Sequence, residues 1–194
     1  DYHNNEFYFA IELIRRGKDN PDLQAANYHF KNYYIHSPDN LFKYETEIKN
    51  ICDLLKLRAY ISVSPKSAMQ VALDTTAECA RKIALHDYQK FYRVYESCSG
   101  KHCSKFQKWV VDVDNVNIAD DINYIGELEN FINNMKSGHP KVVETMFLTK
   151  SGIHLITHPF DKKQFEQEFH LHFGNDITLP GIKKEGLTLL YENI

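Results

Sequence analysis

The sequence predicts an α+β fold built on antiparallel pairing, and three observations carry that prediction. Segments with helical spacing alternate with segments of strand spacing along the 194 residues. Two strand-like runs, residues 142–148 and 153–157, flank a short polar turn containing Gly152, which is the pattern of a β-hairpin and so of antiparallel neighbours. Hydrophobic residues at 43% and charged residues at 25% match a folded chain with a buried core. The length favours one domain over residues 1–194, with an N-terminal α/β part to residue 105 and a second part from residue 106. The expected architecture is a mixed or antiparallel sheet flanked by helices.

Each element has its own signal. Phe7, Ala10, Ile11 and Ile14 fall at helical spacing, with Gly17 and Pro21 to stop the run, so residues 7–16 read as a helix. The aromatic run over 28–36 reads as a strand, and Ser37-Pro38-Asp39 opens a helix over 40–56 that buries Phe42, Ile48, Ile51, Cys52 and Leu55. Residues 58–64 alternate as a strand, and Pro65-Lys66-Ser67 opens a further helix to about Leu85. Residues 88–95 read as helical or irregular, and the polar stretch 96–104 as a loop. After the strand that carries Asp112, a helix over 122–135 aligns Ile122, Ile125, Leu128, Ile132 and Met135, and Gly138 and Pro140 end it. The hairpin follows, then a helix over 161–170 with Asp161 as its N-cap, and finally a strand over 187–191.

Composition narrows the function classes. A net charge of −3 disfavours a protein that coats nucleic acid indiscriminately, since that binding depends on Lys and Arg neutralising phosphates, but it allows a local basic groove. No apolar run is long enough to span a membrane, and the first residues lack the basic and apolar parts of a signal peptide, so a cytoplasmic location is expected. The chain starts at Asp1 without a Met, which suggests a piece trimmed from something longer. Four Cys at irregular spacing are expected to be reduced thiols. The 12 Tyr and 12 Phe suit core packing first and base stacking second.

Two stretches carry the chemistry. In Trp109-Val110-Val111-Asp112-Val113-Asp114-Asn115 a strand places Asp112 and Asp114 on one face, because side chains alternate with period two. Paired hard oxygen donors suit Mg²⁺ or Mn²⁺ beside a phosphate. In Lys150-Ser151-Gly152-Ile153-His154 the hairpin turn offers backbone amides and a cationic side chain to an anion, with His154 just beyond on the second strand. Asp114-Asn115 is also ordinary turn chemistry, and a lone His is often just a hydrogen-bonded one; Asp112, set in an apolar run, is harder to explain without a partner.

The archaeo-eukaryotic primase superfamily has a hydrophobic strand ending in Asp-x-Asp and then a Ser-x-His type motif, often preceded by glycine, and this chain resembles its catalytic core at Asp112 and Asp114 and at Ser151, Gly152 and His154. That superfamily includes the primase-polymerases of phages and mobile elements. The resemblance covers the chain from about Phe106 onward. It implies an RNA-recognition-motif-like sheet and divalent-metal-dependent nucleotidyl transfer from nucleoside triphosphates on a single-stranded or primed nucleic acid. Asp112 and Asp114 would be metal ligands and catalytic residues. His154, with Ser151, Gly152 and Lys150, would contact phosphate. A helicase or other replication domain would belong to the full-length protein. The family's third carboxylate has no clear match here; Asp176 and Glu185 are the candidates by position, and both make good turn residues.

Other readings stay open. Arg58, a charge borne on a strand, is a candidate phosphate contact, and Lys66, Lys101, Lys105 and Lys108 offer a path for a nucleic acid. His170-Leu171-His172 resembles the His-hydrophobic-His signature of relaxases and rolling-circle initiators, in which a tyrosine is the nucleophile. It needs a strand at a place that reads as helical. Cys98, His102 and Cys103 supply only three close ligands for zinc, one short of a structural site. A non-catalytic nucleic-acid-binding domain with a degenerate metal site is the remaining alternative.

Overall fold

The computed structural model describes residues 6–17, 20, 27–101, 106–115, 118–149 and 152–192. In chain order its elements are β1 (Phe7–Arg16), β2 (Asn27–Ile35), α1 (Pro38–Leu55), β3 (Arg58–Ser62), β4 (Lys66–Ser67), α2 (Ala68–Ala84), α3 (Val94–Lys101), β5 (Trp109–Asp114), α4 (Ile118–Asn133), β6 (Val143–Leu148), β7 (Gly152–Thr157), α5 (Lys162–Phe173), β8 (Gly181–Lys183) and β9 (Leu187–Glu192). The class is α+β, as the alternation and the hairpin predict, but the described strands form two antiparallel sheets where one was expected. The chain divides into two compact units, Asp1–Phe106 with Leu190–Ile194, and Gln107–Leu189.

The first unit corrects the reading of its opening segment. Residues 7–16 form β1, the inner strand that pairs antiparallel with both β2 and β3. The pairing with β2 shifts register between Leu13 and Ile14. β1 is buried on both faces, with Tyr8 in one cluster and Ile11 and Leu13 in another, so its apolar residues do not alternate and imitate helical spacing in the sequence. Ile11 and Leu13 lie in a core with Tyr33, Ile35, Ile48, Cys52, Leu57 and Ala59. Helix α1 starts where Ser37 accepts from Asn40 N–H, with Pro38 in its first turn. It buries Ile48 and Cys52 and leaves Phe42 69% exposed, against the expectation for that residue.

A second correction concerns residues 94–101, expected to run into a polar loop and found as α3. Its composition argues against a helix, but Val94, Cys98 and Ser99 are buried there, and Tyr8 Oη donates to Ser99 Oγ at 2.8 Å. Tertiary burial overrides weak local propensity.

The second unit follows the order β5-α4-β6-β7-α5-β8, with the sheet arranged β6-β7-β5-β8. This is the split β-α-β arrangement, and it puts β5 between β7 and β8, antiparallel to both. Along β5 the odd residues Trp109, Val111 and Val113 enter the core with Ile125, Leu128 and Ile132 of α4 and Phe165 and Phe169 of α5. The even residues Asp112 and Asp114 are thereby turned to the opposite face. Helix α4 begins four residues earlier than expected and is kinked at Asp121, whose φ of −110° and ψ of 18° are not helical. Helix α5 is capped by Asp161, which accepts from Lys163 N–H and Gln164 N–H at 3.0 Å each. The short strand β8 had no signal in the sequence.

Candidate functional site

Register brings the acid and the imidazole together. Asp112 on β5 stands opposite His154 on β7 and Gly181 on β8. Directly paired residues in an antiparallel ladder share a face, so His154 must meet Asp112. His154 Nε2 lies 3.1 Å from Asp112 Oδ1, and Lys183 Nζ lies 2.5 Å from Asp112 Oδ2. On its far side His154 Nδ1 is 3.1 Å from the hydroxyl of Thr188, and both residues are buried. A carboxylate only accepts, so Nε2 carries the hydrogen directed at Asp112.

The electrostatics follow from these contacts. The hydrogen bond from His154 holds the Asp112 carboxyl well below the usual carboxylate range, aided by the bond and charge of Lys183, while burial opposes both. Asp112 is therefore an anion at any physiological pH. Its side chain is 20% exposed and that of Lys183 is 54% exposed, so one partner of the carboxylate is fixed in the interior and the other is hydrated.

Beside this triad opens a cleft of about 370 Å³ within the second unit, lined by Asp112, Asp114 and Asp121 and walled by Tyr124, Ile177 and Leu179 among others. Asp121, at the kink of α4, is a residue that sequence reasoning missed. The expected helix began at Ile122, one residue later, and nothing in the local pattern marked Asp121 as more than a flank. Tyr124 is pushed up by burial and then by the nearby charge of Asp121.

The remaining sequence candidates fall in several places. Gly152 pairs with Asp114, and a Cβ there would lie 1.9 Å from the Val113 carbonyl oxygen, so close strand approach already demands glycine. Lys150 and Ser151 lie outside the described residues. Asp176 and Glu185 are exposed turn residues and do not line the cleft. Arg58 is in the first unit, where its Nε lies 2.9 Å from a Glu192 carboxylate oxygen. Lys66 is buried, and Lys108 is engaged by Glu144 and His158.

His170 and His172 sit in α5, so they do not share a face as a strand would require; His172 stacks on Phe131 with ring centroids 4.9 Å apart, and His170 Nδ1 meets the Gly174 carbonyl at 3.2 Å. Cys98 is buried in α3, and His102 and Cys103 lie outside the described residues.

Among the described residues no group of three or more His, Cys, Asp or Glu side chains stands where it could hold a metal ion, and no helix is long and apolar enough to cross a membrane. No family model, curated protein or solved structure matches the chain.

Proposed function

We propose that this chain is a nucleotidyltransferase domain of primase-polymerase type, dependent on Mg²⁺ or Mn²⁺, acting on nucleoside triphosphates and a single-stranded or primed nucleic acid. The observation that supports it is the meeting of Asp112 and His154 across β5 and β7 at the edge of an acidic cleft. The β-α-β-β-α-β order of the second unit supports it further, since an RNA-recognition-motif-like sheet has that order.

The donor chemistry suits the cation. Asp112, Asp114 and Asp121 offer only hard carboxylate oxygens to the cleft, and Mg²⁺ is commonly held by one or two carboxylates together with substrate phosphates. A converged protein cage of three is not required for that mode. When bound, such an ion lowers the barrier to in-line displacement at phosphorus by stabilising the developing charge.

The chain's own residues have these roles. Asp112 and Asp114 present ligands, with Asp112 kept ionised by its neighbours. Thr188 orients the ring of His154, so that Nε2 directs its hydrogen at Asp112 and holds that carboxylate at the edge of the cleft; a phosphate contact from His154 would require that bond to open. The walls formed by Tyr124, Ile177 and Leu179 limit water on one side. This reading carries with it a cytoplasmic location and a companion helicase or other replication domain from a phage or mobile element.

The test is nucleotide incorporation on primed and unprimed templates with Mg²⁺ or Mn²⁺. Asp112→Ala and Asp114→Ala are expected to abolish incorporation while the circular dichroism spectrum is retained. Absence of incorporation by the wild-type chain on every template removes the reading. One observation favours a second reading: Lys183 already neutralises Asp112, as it would in a nucleic-acid-binding domain that has lost its metal centre. That reading expects salt-sensitive, metal-independent binding of single strands and no turnover.

A further inference from the structure

The geometry points to Lys183 as a phosphate-binding residue whose ammonium rests on Asp112 until a divalent cation takes that carboxylate oxygen. The inference rests on the reading of Asp112 as a cation ligand and adds to it a second role for β8. The two oxygens of Asp112 have unequal partners. Oδ1 faces His154, which is buried and held from behind by Thr188. Oδ2 faces an ammonium at 2.5 Å whose side chain is 54% exposed. Only the second contact can be exchanged without opening the interior.

The register explains the reach. Gly181 is directly opposite Asp112 and Lys183 is opposite Val110, so the lysine stem crosses one step along the sheet to arrive at Oδ2. A flexible stem that reaches sideways to one anion can turn to another nearby. A divalent ion outcompetes a single ammonium for a carboxylate, because the attraction scales with charge at similar distance. The released ammonium then stands at the rim of a cleft whose lining includes Asp112, Asp114 and Asp121 and no Lys or Arg. A triphosphate entering with its cation brings more negative charge than that cation cancels. Lys183 supplies positive charge at the moment the nucleotide arrives, and in its absence keeps Asp112 paired.

The experiment compares wild type, Lys183→Met, Lys183→Gln and Asp112→Asn by electron paramagnetic resonance titration of Mn²⁺ alone, and by calorimetric titration of ATP and dATP with Mn²⁺ present. Removing the competing ammonium is expected to tighten Mn²⁺ binding about threefold in both lysine variants, the range of an exposed ion pair. The same variants are expected to bind ATP and dATP about tenfold more weakly, as for loss of a charge-assisted hydrogen bond. Unchanged Mn²⁺ affinity, or tighter Mn²⁺ with unchanged nucleotide affinity, overturns the assignment of Lys183 alone, provided that Asp112→Asn loses the ion. If the wild type binds no Mn²⁺, or Asp112→Asn binds it as wild type does, the reading of Asp112 itself fails and the role of Lys183 falls with it.

Discussion

Asp112 shows how one side chain links stability to the site. Its carboxyl is depressed by His154 first and Lys183 after, so the folded state prefers the anion. For a depressed acid the stabilisation is present above the ordinary carboxylate range and is lost as pH falls through the folded-state value. Asp112→Asn is expected to cost about 1–3 kcal/mol at pH 7, as for a half-buried charged acceptor left without its charge. The gap to wild type should shrink toward pH 3, which urea unfolding at both pH values measures. A gap that stays constant would mean that the carboxylate's charge contributes nothing.

Gly152 offers the complementary case of a residue whose importance is steric. A methyl group there would meet the Val113 carbonyl oxygen, part of the backbone that cannot swing aside. Gly152→Ala is expected to destabilise by about 3 kcal/mol, seen in the thermal midpoint. The sequence flagged this glycine as a possible anion cradle, but the reason visible in the fold is the narrow gap between β5 and β7.

Among the elements, the hairpin and the helices with clean caps were readable, because their signals are local. Asp161 is one: its side chain bonds two amides that the helix itself cannot satisfy. Asp161→Ala is expected to cost about 1 kcal/mol, with Asp161→Ser restoring most of it, again by thermal melting. Strand β1 was misread because it is buried on both faces, so apolar residues fall on both and leave no period-two pattern. Helix α3 was misread for the opposite reason: its residues are poor helix formers, and burial of Val94 and Cys98 decides the matter. Of the site, Asp112 and His154 were legible as types and spacing. Lys183 and Asp121 were not, since β8 is three residues long and the kink in α4 leaves no pattern.

Across the molecule as a whole, the acid side is where stability should fail first. Burial, and then the charge of Lys108, hold His158 below its ordinary value, with Glu144 opposing and His139 stacked on it at 3.6 Å between ring centroids. Burial raises Glu144, but Lys108 and His158 bring it down overall. Both groups, like Asp112, have depressed folded-state values. Each therefore contributes stability above its unfolded value that is lost as pH falls, His158 from roughly 6.5 and Glu144 from roughly 4.3 downward. The urea midpoint is expected to decline from pH 7 to pH 5, and His158→Gln to flatten that slope. An unchanged slope in the variant would assign the decline to other groups.

Period and local chemistry were enough to tell which side chains share a face, where hairpins turn and where helices begin, because those properties depend on residues within a few positions of each other. They placed Asp112 with Asp114, and put His154 one strand away. Lateral strand order was beyond them: that β5 lies between β7 and β8, bringing Lys183 from 71 residues away onto Asp112, follows from which faces pack on α4 and α5. Alternation tells a strand which way its side chains point and leaves its neighbours unspecified, and those neighbours set the charge beside the carboxylate.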